Sequence, residues 1–223
     1  MRLRSAVSIL SLVAAPALAQ TRAIDEGTFV VTKGGATAFT ESFRITRRDG
    51  GLITATGHQV SGAQQTTSSL TTDTLGTPVR YELHVTEKGT RVFDVRAEAR
   101  AGRLASLSST RAGDESMREY PMRVGHSLIL DERLLHQLYF VALAKRSASF
   151  QAIEPRSART VSVNLAAKGM EPVQVAGKSL TGTHYSLTAG PVRYEYWVDS
   201  QGRLLKVEAP SEGLVATRDE APR

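Results

Sequence analysis

The sequence predicts a mainly β protein: a curved antiparallel sheet, or half-open β-barrel, wrapped around one mid-chain helix. Three observations predict it. The first is the stretch at 189–210, AGPVRYEYWVDSQGRLLKVEAP. Val192, Tyr194, Tyr196 and Val198 share one parity, and Arg193, Glu195, Trp197 and Asp199 share the other, which is the period of a half-buried strand. Asp199-Ser200-Gln201-Gly202 supplies a turn, and Leu204, Lys206 and Glu208 then alternate with Leu205, Val207 and Ala209, so the stretch reads as a β-hairpin. The second observation is that similar alternation, punctuated by glycine turns, recurs along most of the chain. The third is that only residues 131–146 switch to a helical period.

Taken in order, residues 1–19 read as a secretory signal peptide. Arg2 and Arg4 form a positive start, 6–13 is mostly apolar, and Ala17-Leu18-Ala19 is a small-residue cleavage pattern. The apolar run falls far short of the roughly 20 residues that span a bilayer. Residues 20–216 then form a single β-rich domain, and 217–223, charged and proline-containing, a disordered tail. Strands are expected at 27–32, at 37–47, where Glu41 interrupts the apolar parity of Phe39, Phe43 and Ile45, and at 52–61 after the hairpin signal Asp49-Gly50. Residues 64–73, rich in Thr and Ser, read as a solvent-exposed strand. Residues 78–86 and 91–99 follow, with Tyr81, Leu83, Phe93 and Val95 inward and Arg80 and Glu82 placed to face Asp94, Arg96 or Glu98. Another strand covers 104–109.

In the helix at 131–146, Asp131 suits the N-cap, Glu132 the first turn, and Lys145 and Arg146 the last. Leu134, Leu135, Leu138, Val141 and Ala142 share one face, while Phe140 and Leu143 lie on the other, so the helix is expected inside the curve of the sheet. Strands resume at 160–166, 172–175 and 179–187, and Leu214-Val215 ends the set as an edge strand. PVRYELHV at 78–85 matches PVRYEYWV at 191–198 at six of eight positions, but a second echo has a different offset, so a duplication stays open.

The net charge of +6 falls by two with Arg2 and Arg4 gone, and basic residues are dispersed; Arg47-Arg48 is the densest spot. No basic stripe alternates with aromatics, which argues against nucleic acid, while a mild attraction to anionic headgroups remains open. There is no cysteine, so disulfides, thiolate metal sites and an acylated cysteine anchor are excluded. No later stretch is apolar enough for a transmembrane segment. An exported, periplasmic or secreted protein is expected, with no cofactor.

His58, His84, His126, His136 and His184 make no metal-site spacing. There is no G-x-S-x-G elbow, and no phosphate or dinucleotide glycine loop. A hydrolase with a composite Ser/His/acid or carboxylate site therefore ranks last among the readings. The leading reading is a ligand site for a lipid or other hydrophobic small molecule, lined by Tyr81, Leu83, Phe93, Leu138, Phe140, Tyr194 and Tyr196. The alternative is a protein-interaction or scaffold module with an envelope protein partner, through edge strands or Trp197, a residue that packs under a loop or forms an exposed patch.

The layout of signal peptide, long meander, one helix and a closing hairpin with Trp197, Asp199, Gly202, Arg203 and Leu204 resembles uncharacterised periplasmic β-rich bacterial families, described as domains of unknown function, that end in a W-x-D-x-x-G-R-L hairpin. It is more distantly similar to the LolA/LolB lipoprotein carriers. The resemblance implies a spiral or half-open barrel around a helix, and an envelope protein able to hold an acyl chain or lipid. It brings no catalytic residues.

Overall fold

A computed structural model describes residues 21–131, 133–144 and 149–222. The expected signal peptide, Glu132 of the expected first helical turn, and the helix-ending Lys145 and Arg146 lie outside these residues. The strands are Thr21–Lys33 (β1), Ala36–Arg48 (β2), Ile53–Ser61 (β3), Gln64–Thr72 (β4), Pro78–Glu87 (β5), Thr90–Arg100 (β6), Arg103–Thr110 (β7) and Glu115–Pro121 (β8). Ser127–Ile129 (β9) precedes a 3-10 turn, Leu135–Gln137, and the short helix Leu138–Ala144 (α1). Then come Ser149–Glu154 (β10), Arg159–Val175 (β11), Lys178–Ala189 (β12), Val192–Val198 (β13), Leu204–Ala209 (β14) and Leu214–Arg218 (β15).

All of them join one sheet in the order β8-β7-β6-β5-β4-β3-β2-β1-β15-β14-β13-β12-β11-β10-β9. Neighbours in sequence are neighbours in the sheet except β8 and β9, which lie at its two ends; β1 pairs with β15 as well as with β2 and so joins the two halves. Only β9 and β10 run parallel. β9 packs on β5, and the 3-10 turn Pro155–Ser157 packs on β6 and β7. The sheet therefore rolls up with its β9–β10 margin against β5–β7. Its inward face and α1 make the main core: Phe29 stacked on Phe43 at 5.2 Å, with Ile45, Ile53, Leu70 and Leu83 meeting Leu138, Phe140 and Val141. Fully burying each such side chain contributes roughly 1.5–3 kcal/mol.

Four adjacent strands hold Asp131 and residues 133–137, the strap leading into α1, by one polar side chain each. Glu41 of β2 accepts from the backbone N–H groups of Leu135 (3.0 Å) and His136 (2.8 Å) and from His136 Nδ1 (2.9 Å). Gln59 of β3 donates to the Arg133 carbonyl at 2.9 Å. Ser68 of β4 lies 3.2 Å from His136 Nε2. The Tyr81 hydroxyl of β5 donates to Asp131 at 2.5 Å. Buried polar groups need such partners, and here each one ties the plug to the wall.

Several expectations change. The helix does not begin at Asp131: that carboxylate is taken by Tyr81 and by the Arg156 N–H, and Glu41 satisfies the first helical donors instead. The Thr/Ser strand β4 is not solvent-exposed on its inner face, where Thr66, Ser68, Leu70 and Thr72 are buried; small hydroxyl side chains fit beneath the strap. β15 is not an edge strand but lies between β1 and β14. It also runs into the expected disordered tail, since Thr217 and Arg218 are paired and Arg218 is 2 % exposed. β8, β9 and β10 are strands the sequence pattern does not mark, because β8 has no apolar alternation and the other two are short. In the β5–β6 charge ladder Arg80 stands opposite Glu98 and Glu82 opposite Arg96, as expected, and His84 is added opposite Asp94.

Candidate functional site

At the end of the roll where β13 begins, the strap leaves a groove against β11, β12 and β13. Leu134, Leu135 and Leu138 line one side, and Val161, Leu187 and Tyr194 the other. Alternation puts Leu187 and Tyr194 opposite each other on the inward face, and the 3-10 turn aims three leucines back at them. The groove holds about 100 Å³ and is mainly apolar.

Its rim is charged. Arg159 Nε pairs with Glu154 at 2.5 Å, and Ser157 Oγ donates to the same carboxylate at 2.8 Å. Arg133, with φ at 65°, reaches Glu212 at 3.7 Å. Asp131 forms part of the wall, and burial pushes its pKa up to about 6 against the opposing hydrogen bonds from Tyr81 and the Arg156 N–H. Burial, with the charge of Asp131 second, pushes the Tyr81 phenol well up, so Tyr81 is the donor in that bond. The Asp131 N–H in turn donates to Gln137 Oε1 at 2.6 Å, closing the strap on itself.

Of the residues expected to line a ligand site, the structure brings Leu138 and Tyr194 together in this groove. Tyr81 touches its wall through Asp131. Leu83 and Phe140 are fully buried elsewhere in the core, Phe93 is half-buried against it, and Tyr196 is buried and stacked on Tyr185 at 5.3 Å. The rim residues Arg133, Glu154 and Arg159 were not singled out. Glu154, just before Pro155 at a strand end, and Arg159, opening the next strand, carried only a turn signal.

A second constellation carries the residue types of a hydrolytic relay. Glu41 accepts from His136 Nδ1, a tautomer that leaves Nε2 to accept from the Ser68 hydroxyl. All three are at least nine-tenths buried, and none lines the groove. The backbone donors that a reaction would need for an oxyanion are already bound to Glu41. The arrangement is an anchor for the plug. Gly57 makes room for it: a Cβ there would run into the His136 ring.

Among the described residues, no group of three or more His, Cys, Asp or Glu side chains could hold a metal ion, and no helix is long and apolar enough to cross a membrane.

An open antiparallel sheet rolled around a short helical plug defines a β-barrel-like protein. The chain belongs to the family described as domain of unknown function (DUF6134), which matches residues 57–217, from β3 to β15 and including the strap and groove. Among solved structures it is similar to the crystal structure of a beta-barrel-like protein of domain of unknown function DUF1849 from Brucella abortus. The two share 10% identity over 87% of this chain and 95% of that one, with a TM-score of 0.58; this likeness shows the fold. No curated protein matches the sequence.

Proposed function

We propose that this is an exported envelope protein that binds a hydrophobic or lipid-like ligand in the groove between the strap and β11–β13. The observation that carries the reading is a leucine-lined opening at the mouth of a rolled sheet, with Tyr194 on its wall and a charged rim. An apolar lining with a few placed polar groups is the usual make-up of a small-molecule site. The volume limits the ligand. Such sites commonly run to roughly 300–1,000 Å³, so about 100 Å³ takes the end of one chain while the rest stays at the rim.

Native mass spectrometry of protein purified gently from the envelope, followed by organic extraction, tests this. A stoichiometric extra mass that extracts as lipid, and that is lost in Leu187→Trp, where the indole fills the groove, is the expected result. A bare mass that lipid incubation does not change would sink the reading.

One observation favours a second reading. β8 is a free sheet edge, and Met117 on it is 74 % exposed beside Leu107 of β7. Such an edge can accept a strand from a partner protein. In that case Ser116→Pro on β8 abolishes partner binding and Leu187→Trp does not affect it.

A further inference from the structure

The far end of β13 leads to a different cavity. Its turn residues Gln201 and Gly202 border a space of about 350 Å³ that is also lined by Arg22, Ile24, Arg47, Tyr139 and Leu143. Arg22 on β1 stands directly opposite Arg47 on β2. Arg47 continues the inward parity of the buried Phe43 and Ile45, which turns it toward the plug at the open end. Like charges directly opposite on one face destabilise a strand pair. Neither guanidinium has an ion-pair partner among the described residues, whereas Arg44, on the other face of β2, pairs with Glu26 at 3.5 Å. The sheet therefore keeps an uncompensated cationic pair at the lip of a cavity. Behind that pair lie the partly buried, apolar Ile24 and Leu143 and the buried phenol of Tyr139, whose pKa burial raises.

We propose that Arg22 and Arg47 together bind an oxyanion, the phosphate or carboxylate head of an amphiphile whose first methylenes pack on Ile24 and Leu143. Guanidinium forks match phosphate and carboxylate oxygens in pairs. One anion between the two arginines replaces their repulsion with two attractions, and the Tyr139 hydroxyl adds a donor. The site is separate from the leucine groove at the opposite end, and it stands whether or not that groove is filled.

The test uses the full chain, the double variant Arg22→Gln/Arg47→Gln, and Arg44→Gln, which removes one such charge from the other face of β2. Two probes distinguish the source of the anion. One is inorganic phosphate at constant ionic strength, read by thermal melting. The other is flotation with phosphatidylcholine vesicles, with and without phosphatidylglycerol. With a lipid headgroup as ligand, affinity for the phosphatidylglycerol vesicles falls roughly ten- to thirtyfold in the double variant, and Arg44→Gln keeps wild-type affinity. With a free anion, phosphate raises the melting temperature of the wild type and of Arg44→Gln but not of the double variant. The proposal is overturned if Arg44→Gln loses as much as the double variant, or if neither probe separates the double variant from wild type. It is also overturned if the double variant melts below Arg44→Gln without any probe, because the pair would then be structural, whereas relief of repulsion predicts the same or a higher melting temperature.

Discussion

Asp131 sits where an ionised carboxylate is costly. It is 4 % exposed, and burial lifts its pKa from 3.8 to about 6 despite two hydrogen bonds. A group whose folded pKa is raised favours the folded state while protonated. That contribution is fully present below the unfolded value of 3.8 and is lost as pH rises through about 6. The span corresponds to about 3 kcal/mol. Asp131→Asn has no charge to bury, so its stability relative to wild type should improve by up to that amount between pH 4 and pH 8, on top of a constant loss of about 1 kcal/mol for one lost acceptor. Urea midpoints at pH 4, 6 and 8 measure it; parallel shifts of the two proteins would show that Asp131 is not the titrating group. Gly57 is a second residue-scale case. In Gly57→Ala the added methyl meets the His136 ring. Overpacking of about 1–3 kcal/mol outweighs the roughly 0.4–1 kcal/mol gained from a stiffer unfolded chain, so the urea midpoint should fall. An unchanged midpoint would mean that the ring can move, and that Glu41 and Ser68 do not hold it.

At the scale of elements, the β11–β12 hairpin folds over the outer face of β13 and β14. Val173 and Val175 from β11 and Leu180 from β12 cover Trp197 and Leu205, a small core separate from the main one. Trp197 stacks on His184 at 4.5 Å and donates to Glu171 at 2.6 Å. Gly182 permits the close approach, since a Cβ there would lie 3.3 Å from Leu205, Trp197 and Val173. The chain has a single tryptophan, so its fluorescence reports this cluster alone. Leu205→Ala should cost about 2–5 kcal/mol and shift the emission to the red at denaturant concentrations where the far-ultraviolet signal is still native. Coincident transitions would show that the flap has no independent opening. Local alternation made β2, β5, β6 and the β13–β14 hairpin legible within a residue or two, because each is half-buried with a simple inside and outside. It places Trp197 on the charged parity correctly, but it carries no information that another hairpin covers that face. For the same reason the helix start was misplaced: the cap comes from Glu41, a residue far away in sequence, and only its presence on an apolar strand face hinted at a partner. In the groove, Leu138 and Tyr194 followed from parity, while the charged rim depends on where β10 and β11 meet the strap.

On the scale of the whole molecule, one strand pair joins the halves, β1 with β15, and one side chain clasps it. Arg218 on β15 reaches Asp25 on β1 at 2.8 Å, the Glu26 carbonyl at 2.5 Å and the Leu204 carbonyl of β14 at 3.2 Å, and it lies over the Phe43 ring of β2 at 5.2 Å. Both charges are almost fully buried. Burial outweighs the arginine at Asp25, whose pKa is raised, so the pair specifies the closure more than it adds net stability. Removing one partner has a different effect, because it leaves the other charge buried alone. Arg218→Met should therefore cost about 3–5 kcal/mol, and the loss should be smaller at acid pH, where Asp25 is protonated. Adding Asp25→Asn should recover most of it at neutral pH, since an amide is cheaper to bury than an unpaired carboxylate. A double-mutant cycle by urea denaturation reads all three quantities. If Arg218→Met unfolds the protein in one transition, the seam holds both halves in a single cooperative unit. Two transitions, with Trp197 reporting only one, would show instead that β1–β8 and β9–β15 fold separately and that the clasp only docks them.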